Sequence, residues 1–101
     1  MTAYIIAFVD IHDRTRYAQE YVPAITGTLE PYGGRMLASS DEARTLEGTI
    51  PSGRVVIIEF PDLDRAHRWY ASDAYAPLLS LRESIATTSL VALPGVLTVH
   101  D

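Results

Sequence analysis

Val55-Val56-Ile57-Ile58 are four consecutive β-branched residues, preceded by Arg54 and followed by Glu59-Phe60-Pro61. Such side chains crowd a helix and sit well on a pleated surface. A run with no polar alternation reads as a strand covered on both faces, in the middle of a sheet. Pro61 cannot donate to a β-ladder, so the strand stops there, and Asp62 suits the N-cap of a helix starting near Leu63. Any fold of this chain must therefore hold residues 54–60 centrally and supply a cover for each side.

The rest of the chain arranges itself around that strand. Met1 to Asp10 is a second strand, with Tyr4, Ile6, Phe8 and Asp10 on one face and Ala3, Ile5, Ala7 and Val9 on the other. Both faces are apolar as far as Asp10. Residues 13–32 follow a helical period, with Tyr17, Tyr21, Ile25, Leu29 and Tyr32 at steps of three or four. Asp13 is the N-cap and Gly33-Gly34 the stop, while Pro23 removes a hydrogen bond and predicts a kink or two shorter helices.

Arg35 to Ser39 is a short strand, and residues 40–53 form a long, partly extended connection in which Thr45 to Gly48 can prolong the pairing. After Pro61, Leu63, Ala66 and Tyr70, with Trp69 beside them, make the inward stripe of a helix whose Arg65 and Arg68 point out. Ser72-Asp73 caps a further helix carrying Tyr75, Leu78, Leu79, Arg82 and Ile85, with Pro77 in its first turn. Thr87 to Leu93 is the last strand, and Val96 to His100 an apolar tail able to pair with another chain.

Strand, helix, strand, strand, broken helix, strand is the order of an α+β, ferredoxin-like βαββαβ sandwich: a four-stranded antiparallel sheet with helices on one face. Those helices cover one side only. The other exposes Val and Ile from at least two central strands, a larger patch than a soluble monomer usually carries. A second copy, sheet to sheet about a two-fold axis, is the simplest cover, so the sequence predicts a homodimer.

Composition narrows the chemistry. The 101 residues suit one domain spanning 1–101. With no cysteine and all eight basic residues arginine, thiolate and lysine chemistry are excluded. The net charge of −5 and the scattered arginines argue against nucleic acid. The apolar run Ala3 to Val9 is too short to span a membrane and lacks the flank and cleavage site of a secretory signal, which predicts a cytoplasmic protein.

Several stretches together resemble a known family: Ala3-Tyr4-Ile5-Ile6 to Asp10, Tyr17 and Tyr21, Tyr32-Gly33-Gly34-Arg35, Leu46-Glu47-Gly48, Ile58-Glu59-Phe60-Pro61, Trp69-Tyr70-x-Ser72-x-x-Tyr75 and Leu81-Arg82. Over residues 2 to 95 the chain is similar to the domain-of-unknown-function family numbered 1330, a branch of the dimeric α/β-barrel superfamily. The resemblance implies a ferredoxin-like protomer and a sheet-to-sheet dimer. Superfamily relatives include cofactor-independent quinone-forming monooxygenases, muconolactone isomerases, haem-degrading enzymes and chlorite dismutases, while this family has no settled activity. No histidine is placed as the proximal ligand of the haem branch, so no cofactor is expected.

The candidate site gathers polar groups attached to apolar elements. Tyr17, Tyr21, Trp69 and Tyr70 are the expected walls of a pocket between sheet and helices, with Arg35 or Arg82 as the anchor for a carboxylate or enolate. Asp10 or His12 is the candidate base for cofactor-free proton transfer or oxygenation of a small aromatic or acidic metabolite. Asp10-x-His12 lacks a third ligand at useful spacing, so no metal is expected. His67, between two arginines, reads as solvent-facing, and Ser72 as a cap. A second reading stays open: a non-catalytic homodimeric sensor or accessory protein in which the aromatics fill a closed core and Arg35 or Arg82 pairs with Asp10 or Glu59.

Overall fold

In the computed structural model, which describes residues 1–51 and 53–96, strand β3 (Arg54–Phe60) pairs on one side with β1 (Ala3–Ile11) and on the other with β2 (Arg35–Ser40). Strand β4 (Ala86–Pro94) flanks β1, giving an antiparallel sheet of order β2-β3-β1-β4. The four β-branched residues thus lie in one of the two central strands. This is the α+β, ferredoxin-like βαββαβ arrangement.

Side-chain alternation separates the sheet's faces. Ala3, Ile5, Ala7 and Val9 of β1 and Val56, Ile58 and Phe60 of β3 are buried under the helices. The other face has cross-strand rows: Arg35, Glu59, Tyr4 and Leu93; then Ala38, Ile57, Ile6 and Val91; then Ser40, Val55, Phe8 and Ser89. The centre of that face is apolar and no element lies over it among the described residues; Val91 is 50% exposed and Leu93 37%.

The first helical segment runs from Arg14 to Tyr32 in four pieces. Helix α1 (Arg14–Arg16) is capped by Asp13, whose carboxylate accepts from the Arg16 N–H at 3.1 Å. A π turn follows over Tyr17–Tyr21, then α2 (Val22–Leu29) and a 3₁₀ turn, Glu30–Tyr32. The wider π turn, closed by the Val22 N–H on the Tyr17 carbonyl, puts Pro23 in the first turn of α2, where its missing donor costs little. The expected break is thus a change of helical pitch. Gly33, at φ 71°, ends the segment in the left-handed conformation.

Asp62 caps helix α3 (Leu63–Tyr70) through the Arg65 N–H at 2.8 Å. Ser72 accepts from the Tyr75 N–H and donates to the Trp69 carbonyl, turning the chain into α4 (Ala76–Ile85), with Pro77 in its first turn. Two expectations need correction. Residues 41–51 and 53 carry no strand, so Thr45 to Gly48 does not prolong the pairing. In α3 the inward stripe is Ala66 and Trp69, whereas Tyr70 is 40% exposed. Of the tail, residues 97–101 lie outside the described region. No helix among the described residues is long and apolar enough to cross a membrane.

Candidate functional site

The π turn and α2 bring Tyr17, Tyr21 and Ile25 over the helix-facing side of the sheet, as their spacing requires. Opposite them, α3 supplies Trp69, and the turn into α4 supplies Tyr75, 0% exposed. Between these aromatic walls and the sheet lies a cavity of about 230 Å3, floored by Ile5, Val9, Val56 and Ile58. The Tyr17 and Tyr21 rings stack at 5.0 Å, and those of Trp69 and Tyr75 lie 4.1 Å apart. The Trp69 indole N–H donates to Thr28 Oγ1 at 3.0 Å, and that hydroxyl donates to the Ile25 carbonyl. The walls are fixed by hydrogen bonds as well as by packing.

Arg82 closes the far end. It is 5% exposed, and no carboxylate lies within 4.0 Å of it among the described residues. Its Nε donates to the Tyr75 hydroxyl at 3.3 Å, and the Tyr75 and Tyr21 hydroxyls are 2.6 Å apart. Guanidinium can only donate, and one phenolic hydrogen is consumed between the two tyrosines. Whichever tyrosine donates to the other, one O–H of the pair and the Arg82 Nη hydrogens have no acceptor among the described residues. This end of the cavity offers hydrogen-bond donors.

Burial shapes the charges here. Desolvation raises the Tyr17 hydroxyl above the ordinary phenol value and pushes that of Tyr21 well above it, so both are neutral at physiological pH. For Arg82, burial opposes the charge, but attraction to the oxygens of Tyr75, Tyr21 and Tyr70 outweighs it and the pKa is raised. That attraction belongs to alkaline solution, because a phenol carries charge only there. Near neutrality Arg82 is a cation set among aromatic rings, its hydrogen bond going to the Tyr75 hydroxyl and not to a carboxylate.

The opposite end carries Arg54, which donates to Ser39 Oγ at 2.8 Å and pairs with Asp41 at 3.0 Å. Arg14 reaches the same carboxylate at 3.5 Å. This cation is neutralised within the protein; for Arg82 no such partner exists among the described residues.

Of the residues singled out in the sequence, Tyr17, Tyr21, Trp69 and Arg82 line the cavity. The other four do not. Arg35 lies on the opposite face of the sheet, 70% exposed in its side chain, where it pairs with Glu59 at 2.8 Å. A bulge between Met36 and Ala38 breaks the simple alternation of β2, so Met36 and Ser39 face the cavity while Arg35 and Ala38 face away. Asp10 is exposed, shares the outer face with Phe8 and sits opposite Thr87, whose hydroxyl meets His12 Nε2 at 2.9 Å. Those two come together with each other, away from the cavity. Tyr70 packs its ring edge-on to Trp69 from outside, at 6.4 Å.

Tyr75, Arg54 and Ser39 line the cavity without having been singled out. Arg54 shares the strand parity of Val56 and Ile58, a signal available in the sequence. Tyr75 stands two helical turns before Arg82, at the spacing that brings side chains onto one face.

Comparison with solved structures gives the same fold. The protein of unknown function RPA0582 from Rhodopseudomonas palustris matches with a TM-score of 0.75 at 14% identity, covering 96% of this chain and 84% of that one. SnoaB, a cofactor-independent oxygenase from Streptomyces nogalater, matches with a TM-score of 0.65 at 12% identity, covering 99% and 98%. An uncharacterized NIPSNAP domain protein from Burkholderia xenovorans matches with a TM-score of 0.59 at 13% identity over 100% of both chains. No curated protein matches the sequence. A family model matches residues 2–96, and the chain belongs to that family, the Domain of unknown function DUF1330.

Proposed function

We propose that the protein binds one small aromatic or acidic metabolite per protomer, its flat apolar body between Tyr17, Tyr21 and Trp69 and its anionic oxygen at Arg82. The observation that carries this reading is the buried Arg82 guanidinium, with no carboxylate paired to it among the described residues, beside a cavity lined by aromatic rings. Burying a charge is costly unless it is paired, and a bound anion supplies the missing pair. Size is consistent: a cavity of about 150 Å3 can hold benzene, so about 230 Å3 admits one ring with a short substituent. Binding, with no required chemistry, is the function this geometry supports best.

Cofactor-free oxygenation is a second reading. It is supported by the same cation, which would stabilise an enolate or phenolate, and by the similar fold of SnoaB, a cofactor-independent oxygenase. No carboxylate or imidazole lines the cavity among the described residues, so such a reaction would start from a substrate already ionised. The homodimer also belongs to this reading, supported by the uncovered row Ala38, Ile57, Ile6 and Val91.

A thermal-shift screen of single-ring carboxylates, phenolates and their neutral counterparts tests the binding. The expected result is a rise in Tm with ionised members only, lost in Arg82→Gln. Equal responses from charged and neutral compounds, or from wild type and variant, would reject it. Sedimentation should give twice the single-chain mass, falling to one chain in Ile57→Asp; a monomeric wild type at micromolar concentration would refute the dimer.

A further inference from the structure

A second opening adjoins Arg82 from outside the aromatic cavity. It is a surface notch of about 550 Å3 between α4 and β4, bordered by Tyr70, Glu83, Thr87 and Thr88, and it shares Arg82 and Leu90 with the cavity. One wall residue breaks a general rule. Thr88 Oγ1 is buried and has no hydrogen-bond partner, and it is the one such side-chain atom among the described residues. Buried hydroxyls are normally paired, and an orphan one asks for an explanation. Thr88 belongs to the helix-facing set of β4, with Ala86, Leu90 and Ala92, so the strand carries it toward Arg82 and away from the outer face.

From these neighbours we infer that the notch is the acid-binding end of the site: a monocarboxylate spans Arg82 and Thr88 there, while its apolar body passes Leu90 into the aromatic cavity. The inference rests on the ligand reading above and adds the second anchor, the ligand's direction and its class. One staggered step of χ1 exchanges a threonine's hydroxyl with its methyl group, so the Thr88 O–H can follow a ligand oxygen. The exposed Glu83 carboxylate on the same rim disfavours a dianion such as a phosphate ester. A ring in the cavity and an acid in the notch need a spacer between them. The matching class is an arylalkanoate, a ring joined to a carboxylate by a short chain.

The test uses 3-phenylpropanoate, with propylbenzene as the same ring and chain lacking the acid, titrated calorimetrically into wild type, Thr88→Val, Thr88→Ser and Arg82→Gln. Thr88→Val replaces an unpaired hydroxyl by a methyl of the same shape, so the free protein should fold with unchanged or slightly higher Tm. Loss of one hydrogen bond to a charged group corresponds to a weakening of about tenfold or more. That loss is expected for 3-phenylpropanoate in Thr88→Val, with no change for propylbenzene and recovery in Thr88→Ser. Unchanged affinity in Thr88→Val, with binding lost in Arg82→Gln, would overturn the inference and leave the ligand reading standing, the Thr88 hydroxyl then serving water alone. No acid-dependent binding by wild type at all would defeat both.

Discussion

Arg82→Met separates a residue kept for a ligand from one kept for the fold. Removing one member of an ordinary buried ion pair strands the other charge and costs about 3–5 kcal/mol. Here no carboxylate among the described residues is stranded, and the Tyr75 hydroxyl keeps its 2.6 Å partner, Tyr21. The lost bond, Arg82 Nε to Tyr75, is long at 3.3 Å and should be worth only about 1 kcal/mol. Methionine retains most of the aliphatic stem that packs in the cavity wall. Against that small loss stands relief from holding a largely desolvated cation with no carboxylate beside it among the described residues. That relief is several kcal/mol when desolvation is complete and less here, because Arg82 also borders the open notch. The net expectation is stabilisation of the ligand-free protein by about 1–2 kcal/mol, a rise in Tm of roughly 5–10 °C for a domain of this size.

Urea denaturation followed by the fluorescence of Trp69, the single tryptophan and 1% exposed, reads the effect. Destabilisation by more than about 2 kcal/mol would refute the reasoning, because it would fall in the range for a residue the fold depends on.

Three further outcomes follow from the same geometry. Burial raises the folded-state pKa values of Tyr17 and Tyr21 above 10.0, so above about pH 10 the unfolded chain loses their protons first; stability is fully present below that pH and should then fall, by up to about 1.4 kcal/mol per pH unit for Tyr21, as urea midpoints between pH 8 and 11 will show. Thr28→Val leaves the buried Trp69 indole N–H without its acceptor and should cost about 1–3 kcal/mol, with a shift in Trp69 emission. Arg35→Ala removes an exposed ion pair on the far face, so it should change stability by less than about 1 kcal/mol and leave ligand affinity unaltered in calorimetry.

The fold was legible because its signals are local and agree with one another. Unbroken β-branching marked β3, Pro61-Asp62 marked the passage into α3, and Gly33 marked the end of the first helical segment. Half of the candidate site was equally legible: Tyr17 and Tyr21 follow the helical stripe, and Arg82 sits on the same period as Tyr75 and Ile85. The rest depended on facts that period alone does not carry. Alternation grouped Asp10 with Phe8 and Ile6, but nothing in the sequence says which face of β1 the helices cover. The bulge in β2 replaces a spacing of two by three between Met36 and Ser39, which takes Arg35 out of the cavity. Trp69 and Tyr70 are neighbours about 100° apart on a helix, and packing against Phe60 chose Trp69 for the interior. That no acid pairs with Arg82 among the described residues is a property of the assembled core, where Glu59 is committed to Arg35 across the sheet.

On the proposed reading, Arg82 holds an anion at the end of the aromatic cavity. Calorimetric titration of wild type and Arg82→Met with 3-phenylpropanoate tests it most directly. The expected result is one acid bound per chain of wild type and no measurable binding by the folded variant. Equal binding by both proteins would contradict it.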